Sequence, residues 1–363
     1  MLNNRIQLDG DISFRLTLMK FLAIIAVVFI HTDYPTSIVN PQNLAVVYYC
    51  DTVVSGYICR FAVPLFFCIS GFIYFAKGYQ HNMWNFTAKK VKEILFPYIL
   101  WNTIAIIYIF AAQIPSVTRR YFTDYLIIEN FDLGRWVSCY IGFSDAWLPF
   151  LYPLWFMPYL FVTFIIIHLF RNFINRHSNI IWVVSAIISI CCHSIKPLAD
   201  ILASGPVLRL ISALSFFTFG IFCLKNMQLF DNKKVFWISG VIFACTAPID
   251  MSGILEYIKI LPITLYCGVI FMFCLSARIN KCSPEAKKRL AFISGFSFVI
   301  YVTHEFALYS IKRILIMFIP AKTLPFLLIY LLVPIALIGI IILCGALLKK
   351  LFPGFYKFLF AGR

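Results

Sequence analysis

The chain has 363 residues, 62% of them hydrophobic and only 13% charged. A soluble domain carries about a quarter charged residues, and a single core of this size cannot hide such an apolar surplus, so a soluble α/β enzyme is excluded and lipid is the natural solvent. The formal net charge is +16, from 31 Lys and Arg against 15 Asp and Glu. The basic residues fall between apolar runs, where they read as topogenic charge and not as a nucleic-acid surface.

The expected fold class is an all-α integral membrane protein with about ten transmembrane helices and both termini cytoplasmic. In chain order the apolar stretches are Leu16–Thr32, Tyr57–Ala76, Ile94–Ala112, Leu154–Phe170, Ile180–Ile195, Pro206–Leu224, Val235–Pro248, Lys259–Ala277, Leu290–Ile311 and Leu324–Leu348. Each approaches the roughly 20 helical residues that span a bilayer. The region Trp136–Tyr152 is also apolar enough for a re-entrant or interfacial piece. The first stretch does not read as a cleavable signal, because His31-Thr32-Asp33-Tyr34-Pro35 stands where small residues would be needed.

With ten spans, the segments on the side of the N-terminus hold 20 Lys and Arg and those on the other side hold 9. That bias puts both termini inside, in a bacterial inner membrane. The longest loop, about Gln113 to Pro153, then falls outside and carries Arg119, Arg120, Asp124, Glu129, Asp132, Arg135 and Asp145. Residues 1–363 read as one transmembrane domain with no extracytoplasmic soluble domain. The twelve cysteines form no CxxC pair and mostly lie in apolar runs as small hydrophobes; Cys50 and Cys59 are placed to pair in an oxidising compartment, though nothing requires it. No metal site is expected.

Ionisable residues inside spans are costly and mark function by default. Lys20 and His31 lie eleven residues apart on the first span, which is three turns plus roughly 20°, so they share a face about 16 Å apart along the axis. Lys20 is expected near the cytoplasmic end and His31 near the outer end. Snorkelling of Lys20 and an interfacial hydrogen bond for His31 are the bland alternatives. Arg60 opens the second span, as a partner for an outer carboxylate or for substrate. His304 and Glu305 lie late in the ninth span, at the level of His31, and a carboxylate beside a histidine fixes its tautomer. His168 and His193 read as structural, and Arg209 as a helix-end anchor. Before the third span, Lys89-Lys90-Val91-Lys92-Glu93 offers cations at i,i+3 spacing on one helix face, which suits a phosphate-bearing ligand as well as positive-inside charge.

From Phe14 to about Leu348 the chain resembles membrane acyltransferase family 3, the bacterial O-acyltransferases of surface glycans. Lys20 and His31 fit that family's Arg/Lys–ten residues–His motif, and Arg60 through Phe72 resembles its second-helix signature. Lys89–Tyr98 resembles its basic motif before a Pro-Tyr, and Leu154-Trp155-Phe156, Phe216–Gly220 and Ser297–His304 match later signatures. The departure is that lysines stand where the family usually has two arginines three apart, with Glu93 at one plausible arginine position; either 89/92 or 90/93 is the matching pair.

The resemblance implies acyl-CoA as donor from the cytoplasm, acetyl-CoA foremost, and a cell-surface or lipid-linked glycan as acceptor. Lys20, Lys89, Lys90 and Lys92 would then hold the CoA phosphates. His31 would act as general base, or as an acyl-carrying nucleophile, with His304 and Glu305 as partners. Arg60 and Tyr301 would face the substrate, as would Trp155 by stacking on a sugar unless it simply sits at the membrane interface, and Ser70 reads as a small residue at a helix contact rather than a nucleophile. A transporter or flippase, or a non-catalytic component of a polysaccharide assembly system, is the rival class; acyl-CoA turnover that depends on His31 separates them.

Overall fold

A computed structural model describes residues 8–32, 44–78, 82–114, 119, 132–141, 149–195, 205–251, 260–318 and 322–362. Among these residues the protein is helical throughout and contains no β-strand. The helices are α1 (Gly10–Ile30), α2 (Ala45–Val54), α3 (Ala62–Lys77), α4 (Met83–Lys90), α5 (Phe96–Gln113), α6 (Leu133–Ile141), α7 (Phe156–Leu169), α8 (Arg171–Arg176), α9 (Ser178–Ser194), α10 (Gly205–Lys225), α11 (Lys233–Met251), α12 (Leu261–Ile279), α13 (Pro284–Ser294), α14 (Ser297–Phe318), α15 (Thr323–Leu351) and α16 (Pro353–Leu359). Short 3-10 turns at Ile58–Phe61 and Tyr152–Trp155 lead into α3 and α7.

By length and composition, seven of the described helical runs are able to cross a membrane, and an eighth qualifies if α13 and α14 count as one bent span. The remaining two of the ten stretches read from the sequence are occupied by α9, which is 17 residues long, and by α11, which carries Pro248 inside it. The ninth stretch is not one straight helix: α13 and α14 meet at 51° across Gly295 and Phe296. Most of the long polar loop from Gln113 to Pro153 lies outside the described residues; within it α6 covers the start of the Trp136–Tyr152 region. Exposed apolar side chains on α9, α11 and α15, such as Ile187, Trp237 and Ile335, face outward as lipid contacts require. The result is a multi-pass membrane protein.

Helix α1 begins six residues before the predicted Leu16. Asp9 caps it by accepting from Ile12 N at 2.6 Å, a helix start that the preceding polar segment makes available. Lys20 therefore stands at the midpoint of α1 and not near its end. Arg15, counted as loop charge in the sequence, lies inside the bundle. It donates to Ser276 Oγ and Phe273 O at 3.3 Å each and lies 3.6 Å from Asp231.

The centre of the bundle is a backbone-to-backbone contact between α3 and α10. A Cβ at Gly71 would sit 1.9 Å from Phe217 O, and one at Gly220 would sit 2.3 Å from Cys68 O. Only glycine permits so close an approach, as small residues do generally in membrane interfaces. The Phe216–Gly220 signature and Gly71 are thus packing features, which also accounts for Ser70 beside Gly71. All twelve cysteines are free; Cys50 and Cys59 do not pair.

Candidate active site

The polar groups predicted for the outer level converge at the C-terminal end of α1. The helix stops at Ile30, and His31 forms its cap, followed by Thr32. The His31 Nδ1 atom lies 3.5 Å from Glu305 Oε2 of α14. The His31 ring lies 5.4 Å, centroid to centroid, from His304 and 5.7 Å from Tyr152, whose 3-10 turn leads into α7. One ligating atom from each of His31, His304 and Glu305 falls within 4.8 Å of the other two.

Each member is held by its own element. His304 is fully buried. Its Nδ1–H donates back to Ile300 O at 3.0 Å and Tyr301 O at 2.9 Å. That tautomer leaves Nε2 as an acceptor, and this buried nitrogen has no hydrogen-bond partner. Tyr301 donates its hydroxyl proton to Pro153 O at 2.7 Å and so ties α14 to the turn that carries Tyr152. Arg60 is exposed on the turn before α3. Trp155 is half-buried at the end of the Tyr152 turn; its ring lies 5.2 Å from the Arg209 guanidinium carbon and 5.7 Å from the Tyr159 ring.

The sequence reading missed two contributors. Tyr152 was part of an apolar tract with no charge to mark it. Lys312 was counted as loop charge; its ammonium is buried and donates to His31 O at 3.0 Å. A usable signal existed for Lys312: it follows Glu305 by seven residues, two helical turns on one face.

The lysine motif lies elsewhere. α3 starts beside the end of α1 and runs 16 residues away from it, about 24 Å at helical rise, before α4 begins. Lys90 is buried, with Nζ 2.7 Å from Glu93 Oε2 and 4.2 Å from the Phe164 ring centre. Lys89 is exposed and 3.9 Å from Glu93 Oε1, while Lys92 is exposed. Of the two pairings left open by the sequence, 90/93 is therefore an ion pair whose lysine alone is buried, while Lys89 and Lys92 both face outward. Residues Val91–Leu95 form a π turn in which Phe96 N bonds Val91 O. Pro97 explains it: proline cannot donate to the Glu93 carbonyl and clashes with it, so the backbone widens by one residue. The turn lets Lys90 point inward while its two neighbours point out.

A partly buried His–Glu contact at a helix end, with a second acceptor nitrogen beside it inside a multi-pass bundle, is able to take up and pass on a proton. The family model described as an acyltransferase domain matches residues 14–345, nearly the whole chain, and the chain belongs to that family. Its class is that of a membrane acyltransferase. It is 23% identical over 200 residues to the succinoglycan biosynthesis protein ExoH of Rhizobium meliloti (strain 1021), an alignment that covers 53% of this chain and 50% of that protein. The chain thus spans about half the length of the curated relative it matches. No solved structure matches the chain.

Proposed function

We propose that the protein transfers an acyl group, acetyl foremost, from cytoplasmic acyl-CoA to a hydroxyl of a cell-surface or lipid-linked glycan, with His31 as general base. The observation that carries this reading is the 3.5 Å approach of Glu305 to His31 Nδ1 in a chain of the acyltransferase family. A carboxylate at Nδ1 holds the proton on that nitrogen and leaves Nε2 basic. The acceptor oxygen then attacks the thioester carbonyl, Nε2 takes the hydroxyl proton, the C–S bond breaks, and the CoA thiolate leaves and is protonated. The ester forms with no net redox change. The similarity to a succinoglycan biosynthesis protein supports a glycan acceptor.

The exposed Lys89 and Lys92 suit the phosphates of CoA at the cytoplasmic face, and the midpoint position of Lys20 puts a cation partway along the path to His31. His304 contributes a second acceptor nitrogen, and Tyr301 and Tyr152 hold the wall of the site. In this orientation both termini face the cytoplasm of a bacterial inner membrane and His31 faces outward.

The test uses membrane vesicles with labelled acetyl-CoA and total cell glycan, comparing wild type with His31→Ala and Glu305→Gln at matched protein levels. Label in the glycan fraction that disappears with His31→Ala supports the reading. Equal label in wild type and His31→Ala removes His31 from the chemistry. Transport of a lipid-linked sugar by His31→Ala at the wild-type rate, with no acyl turnover by either protein, favours a flippase.

A further inference from the structure

We propose that Lys312 is a positioning residue, which sets the His31 imidazole by holding the backbone on which it stands; the inference rests on acyl transfer through His31. The last carbonyls of a helix have no intrahelical amide to bond. At the end of α1, three are taken up by side chains. Val28 O accepts from Thr32 Oγ1 at 2.7 Å, Phe29 O from Ser55 Oγ at 2.8 Å, and His31 O from Lys312 Nζ at 3.0 Å. Only the last of these acts on the catalytic residue itself, and only it brings a charge.

Lys312 and Glu305 stand on one face of α14, about 10 Å apart along the helix. That face therefore meets His31 twice: the carboxylate at Nδ1 and the ammonium at the main-chain carbonyl. Fixing both ends leaves the ring little freedom in either torsion. Burying an ammonium is costly unless it is well bonded, and Lys312 is only 9% exposed. It sits where the α1 dipole is negative, a placement that offsets part of that cost. The other titratable groups facing His31 are Glu305, His304 and Tyr152.

The experiment compares Lys312→Met and Lys312→Arg with wild type in proteoliposomes, alone and combined with His31→Ala. Misplacing a catalytic group by about 1 Å costs roughly 100-fold. The expected result is that Lys312→Met lowers kcat by about 30-fold or more with KM for acetyl-CoA little changed, and that Lys312→Arg restores most of it. In the His31→Ala background Lys312→Met adds almost nothing. A readout that needs no turnover is the rate of His31 carbethoxylation by diethyl pyrocarbonate, followed by mass spectrometry, which rises in Lys312→Met as the ring is released. Wild-type kcat in Lys312→Met, loss without rescue by arginine, or an unchanged carbethoxylation rate each overturns the proposal. If His31→Ala itself keeps full activity, the reading of His31 as base fails instead, and the carbethoxylation rate still reports whether Lys312 holds the ring.

Discussion

The protein buries two histidine environments that differ in their neighbours. His168 is fully buried at the end of α7, with Nδ1 2.8 Å from the Tyr74 hydroxyl and its ring stacked 3.8 Å from Phe86 at 9°. Phe164 packs against both Tyr74 and Phe86. His304 is equally buried, but its Nε2 has no hydrogen-bond partner, and it faces His31 and Glu305. An imidazole among aromatic rings with its polar atom engaged is a packing element; one left as an acceptor beside a second imidazole and a carboxylate can move a proton. Burial alone does not separate the two, and the neighbouring side chains do.

This contrast is sharpest for substitutions that touch only one of the environments. His31→Ala is expected to abolish acyl transfer, with a loss of about 1,000-fold or more, as for removal of a general base; vesicle assays at matched protein level measure it. Glu305→Gln keeps the shape but loses the charge at Nδ1, and a fall in kcat of about 100-fold with donor KM unchanged is expected. His168→Gln is the counterpart: it lowers the unfolding temperature in detergent through about 1–3 kcal/mol of lost buried hydrogen bonding, while kcat per folded molecule stays at the wild-type value. A large kcat loss in His168→Gln would erase the distinction. Gly220→Ala also acts on packing alone, since its Cβ would strike the Cys68 carbonyl; overpacking of this kind costs about 1–3 kcal/mol and is read as lost folded yield. The smallest effect is expected for Lys89→Ala, a rise of a few-fold in KM for acetyl-CoA as one exposed cation is removed, with kcat unaltered.

Much of the site was legible because helical spacing is a strict ruler. The eleven-residue interval between Lys20 and His31 and the adjacent pair His304-Glu305 needed only 3.6 residues per turn and the cost of charge in lipid to stand out. The lysine motif was less legible. A regular helix through residues 89–95 would not show which lysine turns inward; the π turn that Pro97 imposes sends Lys90 onto Phe164 and Glu93 and leaves Lys89 and Lys92 outside. Nor does helical spacing show that the Tyr301 hydroxyl bonds Pro153, some 150 residues earlier in the chain.

The sequence by itself determined the solvent, the helical class, the family resemblance and the candidate residues Lys20, His31, His304 and Glu305. These depend on composition and on periodicity within single segments. The tertiary structure decided which cations are buried in ion pairs, that Lys312 and Tyr152 join the end of α1, that Gly71 and Gly220 bring two backbones together, and that the ninth stretch bends by 51°. Those outcomes come from contacts between segments far apart in the chain, and helical periodicity within one segment carries no information about which face of another segment it will meet.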